Sequence, residues 1–122
     1  MQKRTLPFAA LFAGTMLLAG CGASATPTMP TQAQSSGVSI VQGSSNLTTT
    51  AFTPNPITIS RGGTVTWKNS DTTPHTSTSD SGMWNSGSIA PGGTFSMTFP
   101  SAGTFTYHCT LHSGMVGSVV VH

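Results

Sequence analysis

Apolar and polar residues alternate with a period of two over most of the chain after residue 38. Val65 and Trp67 flank Thr66, for example, and Phe105 and Tyr107 follow the same rule. Such alternation is typical of β-strands that bury one face. It predicts eight short strands, near residues 38–42, 46–52, 56–60, 63–69, 75–79, 94–99, 103–109 and 116–121.

Turn-forming sequences separate these segments, and no helical periodicity accompanies them. The turns are rich in glycine and proline: Pro54-Asn55-Pro56, Arg61-Gly62-Gly63, Pro91-Gly92-Gly93 and Ser101-Ala102-Gly103. Seven or eight strands of this length favour an all-β, antiparallel β-sandwich. We therefore predict a single domain over residues 38–122.

The N-terminal segment has the layout of a secretory signal. Lys3 and Arg4 precede an apolar run over residues 6–19, which is shorter than the ~20 residues of a membrane-spanning helix. The run ends in Leu18-Ala19-Gly20-Cys21, which resembles the lipobox of bacterial lipoproteins, where the cysteine is acylated after cleavage. The resemblance implies a signal peptide over residues 1–20 and a lipid anchor on Cys21. Ordinary secretion with Cys21 as a free thiol is the alternative.

Residues 21–37 are small, polar or proline and show no periodicity, so we predict a flexible tether between Cys21 and the domain. An irregular first strand is the alternative. The protein is then expected outside the cytoplasm, held at the surface of a bacterial membrane.

Charge is scarce along the chain. Only 5% of the residues are charged, against about 25% in ordinary soluble domains. This excludes a basic nucleic-acid interface and disfavours a hydrolase built on paired carboxylates. Removal of residues 1–20 leaves Arg61 and Lys68 against Asp71 and Asp80, and the formal charge of +2 falls to zero.

The residues that carry chemistry are clustered near the C-terminus. Cys109, His112 and Met115 follow one another at intervals of three, and His75 can supply a second imidazole. A thiolate, two imidazoles and a thioether form a soft donor set, which favours copper and excludes magnesium or calcium.

These segments resemble the cupredoxins, the blue copper proteins. The likeness covers residues 38–122, and the Cys-x-x-His-x-x-Met spacing is similar to that of the amicyanin and pseudoazurin type. Further matching segments are Gly63-Thr64-Val65-Thr66-Trp67, Asp71-Thr72-Thr73-Pro74-His75 and Ala90-Pro91-Gly92-Gly93-Thr94-Phe95.

The resemblance implies a Greek-key sandwich that binds one copper ion. His75, Cys109 and His112 would be the equatorial ligands and Met115 the axial one. The protein would be a monomeric one-electron carrier rather than an enzyme, and redox partners would dock near His112 through an apolar patch. That patch would include Leu111, Gly114, Pro74 and Met83.

Two positions depart from the family pattern. Thr76 stands where many relatives have an asparagine that ties the ligand loops together, and Leu111 stands where many have proline. We expect both positions to affect the redox potential and the stiffness of the loop more than copper binding itself. His108 and His122 are predicted to face solvent, because no further histidines accompany them for a second copper.

Other functions remain open at this point. The same ligands would suit a copper storage or delivery module, or an electron-entry subunit of a copper enzyme. A metal-free adhesion sandwich is disfavoured by the complete ligand set. A Cys21–Cys109 disulfide is a further option in an oxidising compartment, and lipidation of Cys21 would exclude it.

Overall fold

The computed structural model describes residue 22 and residues 34–122, and within them eight β-strands form two four-stranded sheets. The strands are β1 (Ser35–Ile40), β2 (Phe52–Thr53), β3 (Ile57–Ile59), β4 (Thr64–Asn69), β5 (Thr78–Ser79), β6 (Thr94–Thr98), β7 (Gly103–His108) and β8 (Val116–Val121). The first sheet has the order β2-β1-β4-β6 and the second β3-β8-β7-β5. The predicted all-β sandwich is confirmed.

The alternating side chains of the strands build the core. In β4, Val65, Trp67 and Asn69 are buried, whereas Lys68 between them is exposed. Trp67 lies at the centre of an aromatic cluster, with ring centroids 5.3 Å from Tyr107 and 5.8 Å from Trp84. Because these rings come from β4, β7 and the segment after β5, the two sheets are joined through them.

Two strand pairings correct the expectation of an entirely antiparallel arrangement. β1 runs parallel to β4, with Val38 opposite Trp67, and β3 runs parallel to β8, with Ile59 opposite Val121. The other pairings are antiparallel, so both sheets are mixed. Alternation marks which residues form strands, but it carries no information on which strands become neighbours.

The segment predicted as a strand over residues 46–52 is mostly irregular. A 3₁₀ turn covers Ser44–Asn46, and only Phe52 of the predicted range lies in a strand. The β-branched threonines of this segment suggested a strand. Here, however, Thr48–Thr50 are exposed, and turn contacts such as Ala51 N–H to Thr48 O satisfy the backbone.

The domain begins earlier than the pattern of apolar residues indicated. β1 starts at Ser35, and Ser35–Gly37, assigned above to the tether, pair with residues 64–66 of β4. These three residues lack apolar side chains, so their backbone pairing left no hydrophobic signal. The predicted signal peptide and Cys21 lie outside the described residues, as do residues 23–33 of the predicted tether. Over the described part of the chain, no helix is both long and apolar enough to span a membrane.

Candidate metal centre

Three of the four predicted ligands converge at one end of the sandwich. His75 lies in the connection after β4, Cys109 directly follows β7, and His112 lies in the loop before β8. One donor atom from each lies within 4.8 Å of the others. Cys109 Sγ is 3.9 Å from His75 Nδ1 and 3.6 Å from His112 Nδ1. Within the described residues, this is the one cluster of three such side chains.

Backbone hydrogen bonds fix the segments that carry these side chains. His75 exchanges two of them with Ile89, at 3.2 Å and 2.7 Å. The Cys109 N–H donates to the Met115 carbonyl at 3.0 Å. The Cys109–Met115 hydrogen bond therefore closes the short loop between β7 and β8. Together with the His75–Ile89 pair, it fixes the backbone of the ligand-bearing segments.

Met115 is fully buried, and the hydrogen bond from Cys109 fixes its backbone beside the thiol-bearing residue. Full burial is typical of a methionine in the hydrophobic core as well as of a metal ligand. The axial role of Met115 stays a prediction.

The cluster is buried on one side and open on the other. His75 has no exposed surface and Cys109 only 4%, whereas His112 is half-buried. Leu111, its neighbour, is 54% exposed. The imidazole of His112 is therefore the part of the cluster that reaches the surface.

Thr76, one of the two departures noted in the sequence, links the two ligand segments. Its N–H donates to Cys109 Sγ at 3.3 Å, and its hydroxyl accepts from the Thr110 N–H at 2.8 Å. Thr78 donates to the same hydroxyl at 3.1 Å. The departure at this position therefore keeps a connection between the loops.

Asp71, which was not among the predicted site residues, contacts His75 and belongs to the site. Its Oδ2 lies 2.8 Å from His75 Nε2, on the side of the ring away from Cys109. Hydrogen bonds from the Gly43 N–H, from His75 and from the Thr72 N–H hold the pKa of this carboxyl well below its usual range. The one feature of the sequence that could have indicated this contact is the position of the aspartate, four residues before a candidate ligand.

The other two histidines of the described domain lie outside the cluster. His108 Nδ1 contacts Asp80 Oδ1 at 2.5 Å, and both side chains are substantially exposed. His122 is exposed as well. The prediction that both face solvent is confirmed.

The donor set fits copper. Cys109 forms no disulfide within the part of the chain that the structure describes and is buried, and its sulfur faces an Nδ1 atom from each of two imidazoles. A coordinating thiol is deprotonated by the metal. One thiolate with two imidazoles is the equatorial set of copper electron-transfer centres.

Comparison with known proteins agrees with this chemistry. The family model of the cupredoxin-like domain matches residues 10–121. The chain belongs to this family. Cupredoxins bind copper, and His75, Cys109 and His112 form a site that can hold one ion.

Relatives include plastocyanins and amicyanins. Chloroplastic plastocyanin from Oryza sativa subsp. indica is 37% identical over 84 residues, which cover 58% of this chain and 54% of the relative. Amicyanin from Paracoccus denitrificans is 38% identical over 65 residues, which cover 49% and 50% respectively. This cupredoxin thus spans about half the length of these two curated relatives.

One solved cupredoxin is matched over nearly its whole length. The purple cupredoxin from Nitrosopumilus maritimus superposes with a TM-score of 0.66 and 31% identity, over 71% of this chain and 99% of the other.

Proposed function

We propose that this cupredoxin is a one-electron carrier with a blue copper centre held by His75, Cys109 and His112, with Met115 as the axial ligand. Bound copper supplies the Cu(II)/Cu(I) couple. The observation that carries the proposal is the convergence of one thiol and two Nδ1 atoms within 4.8 Å on segments joined by backbone hydrogen bonds.

The protein's contribution is a set of ligands that moves little. The thiolate and thioether favour Cu(I), and the imidazoles also suit Cu(II). Because β7, the Ile89 bridge and the Cys109–Met115 hydrogen bond fix these side chains, neither oxidation state can reshape the site freely. Little rearrangement favours fast electron transfer.

Electron exchange is proposed to occur at His112, which connects the buried thiol with the surface. Leu111 and Gly114 lie in the same loop as His112, and Pro74 adjoins His75, whose ring centroid is 4.7 Å from that of His112. All three residues are uncharged and exposed. We infer that redox partner proteins dock over this surface. Met83, also exposed, is proposed to extend it.

We further propose that the mature protein is tethered to a membrane through a lipid on Cys21, outside the cytoplasm. The support is the Leu18-Ala19-Gly20-Cys21 sequence behind an apolar run. About 13 residues separate Cys21 from β1, and a flexible segment of that length spans roughly 20 Å. This would hold the domain just clear of the lipid surface.

The two cysteines provide a matched experiment. The full chain is loaded with Cu(II), and its visible spectrum and voltammogram are recorded for the wild type, Cys109→Ser and Cys21→Ser. We expect an intense thiolate-to-copper band and reversible one-electron behaviour in the wild type. Cys109→Ser should abolish the band, whereas Cys21→Ser should keep it and release the protein from the membrane fraction.

Two results would contradict the proposal. A band that survives in Cys109→Ser would show that the ligand assignment is wrong. A colourless or irreversible copper complex of the wild type would favour a storage or delivery module instead.

A further inference from the structure

Asp71 is a buried carboxylate surrounded by hydrogen-bond donors. Its Oδ1 accepts from the Gly43 and Thr72 N–H groups at 3.0 Å and 2.8 Å. Its Oδ2 accepts from the hydroxyls of Ser44 and Thr73 at 3.1 Å and 3.2 Å. With only 6% of the residue exposed, the carboxylate is stabilised as an anion by these donors rather than by water.

The same network determines which nitrogen of His75 carries the proton. Nε2 lies 2.8 Å from Asp71 Oδ2, 3.0 Å from Ser44 Oγ and 3.2 Å from Thr73 Oγ1. Both hydroxyls already donate to the carboxylate, and a carboxylate can only accept. Nε2 must therefore be the donor, and in the neutral imidazole Nδ1, the atom that faces Cys109 Sγ, then has a free lone pair.

We propose that Asp71 is a positioning residue that holds His75 in its Nε2–H tautomer and, through its charge, lowers the reduction potential of the copper centre. The inference rests on the proposed electron-carrier function and adds a determinant of its potential. A carboxylate hydrogen-bonded to the far nitrogen of a ligating histidine fixes the ring and raises its basicity.

The direction of the effect on the potential follows from charge. One imidazole ring separates the carboxylate from the nitrogen that would bind the metal, and the pair is shielded from water because His75 has no exposed surface. A fixed negative charge stabilises Cu(II) more than Cu(I). Asp71 should therefore favour the oxidised state.

Asp71→Asn removes the charge and cannot satisfy the same partners. If the amide oxygen accepts from Gly43 and Thr72, the amide NH₂ faces His75 and favours the Nδ1–H tautomer; if the amide is reversed, the two backbone N–H groups face a donor. We expect the Cu(I) to Cu(II) ratio at a fixed potential to rise by about tenfold, which is a positive shift of about 59 mV for one electron.

Asp80→Asn is the matched control, because it removes the same charge from an aspartate that also pairs with a histidine. His108 adjoins Cys109 in the chain, but the Asp80 side chain is 48% exposed and contacts no proposed ligand. Solvent screens such a charge, so the ratio should change by less than about twofold.

Ser44→Ala tests the same network with the opposite sign. It keeps the charge and removes one donor from Oδ2, so the carboxylate interacts more strongly with His75 and the potential should fall. If the two substitutions merely loosened the site, Asp71→Asn and Ser44→Ala would not shift the reduction potential in opposite directions.

The deciding measurement needs no metal. Nitrogen-15 chemical shifts of the His75 ring in the metal-free, full-length wild-type protein should show that the neutral imidazole carries its proton on Nε2. An Nδ1–H tautomer would overturn the proposal, and so would an Asp71→Asn potential shift no larger than that of Asp80→Asn. Absence of a reversible blue centre would instead refute the proposed function, and the tautomer would still be measured.

Discussion

Thr76 contacts both ligand-bearing segments, through its backbone at Cys109 Sγ and through its hydroxyl at the Thr110 N–H. The hydroxyl accepts hydrogen bonds from two groups, Thr110 N–H and the Thr78 hydroxyl, and lies 3.2 Å from the Thr110 hydroxyl. The threonine side chain is shorter than that of asparagine, but it joins the loops because the N–H of Thr110, the residue after Cys109, lies within hydrogen-bond distance of its hydroxyl. The backbone contact to sulfur does not depend on the identity of the side chain.

Thr76→Val should therefore destabilise the domain. The substitution keeps the shape of the side chain and leaves the partly buried Thr110 N–H without its acceptor, which costs about 1–2 kcal/mol. The free energy of unfolding of the metal-free protein, measured by urea denaturation, reports the effect.

Thr98→Val is the control for this variant. Thr98 also makes a hydroxyl contact, 2.8 Å to Thr64, but on the exposed face of the first sheet. Its free energy of unfolding should change by less than about 0.5 kcal/mol. Equal losses in the two variants would mean that Thr76 has no special part in joining the loops.

The identities of the three converging side chains could be predicted because their chemistry and spacing are local properties of the sequence. The role of Asp71 could not, since it depends on Gly43 and Ser44, nearly 30 residues away in the chain, lying beside the ligand loop. Likewise, nothing in the pattern showed that Thr76 would contact Thr110.

At the scale of the elements, β7 and β8 flank the loop that contains Cys109 and His112, and they are packed through a close contact between Tyr107 and Gly117. The two residues are directly opposite in the antiparallel register. A Cβ atom on Gly117 would lie 2.9 Å from Tyr107 Cε2 and closer still to Cζ and Oη. The tyrosine ring can only pack over this strand because the position has no side chain.

Gly117→Ala should consequently strain the strand pair next to the site. Tyr107 is fully buried between Phe52 and Trp67, with ring centroids 4.8 Å and 5.3 Å away, so the ring has little room to shift. We expect a loss of about 1–3 kcal/mol in the free energy of unfolding, measured by urea denaturation.

Gly37→Ala provides the comparison within a strand. A Cβ there meets only the Thr66 carbonyl at 3.9 Å, an ordinary contact. Its free energy of unfolding should stay within about 0.5 kcal/mol of the wild type. If Gly117→Ala were equally neutral, the close packing of Tyr107 on β8 would not constrain the site.

Strand positions could be predicted well where alternation coincides with burial, as in β4, β7 and β8. The errors fall where backbone pairing acts without apolar side chains, as in Ser35–Gly37, or where β-branched residues lie in an exposed turn, as in Thr48–Thr50. Both are cases in which tertiary contacts override the local pattern.

At the scale of the whole molecule, residues 34–122 carry two basic and two acidic side chains. Asp71 is buried against His75, and Asp80 contacts His108. The exposed residues next to the ligands in the chain, Pro74 and Leu111, are instead uncharged, as is the exposed Gly114. Electrostatic steering of partners should therefore be weak.

Electron exchange should accordingly depend little on salt. With ferricyanide as an anionic oxidant, we expect the second-order rate constant to change by less than about threefold between about 0.01 M and 1 M salt, over which the Debye length falls from about 30 Å to 3 Å. Stopped-flow absorbance measures this rate.

Leu111→Lys tests whether exchange occurs near His112. A positive charge at this exposed position should raise the rate with ferricyanide at low salt and introduce a clear salt dependence. A strong salt dependence in the wild type, or none in the variant, would contradict docking at this surface.

X-ray absorption at the copper edge of the loaded protein, recorded in both oxidation states, tests the central claim most directly. We predict one short copper–sulfur and two copper–nitrogen distances that change only slightly on reduction, because the packed strands and hydrogen-bonded loops fix Cys109, His75 and His112. Loss of the sulfur contact, or a large rearrangement between the two states, would contradict a carrier built on these three side chains.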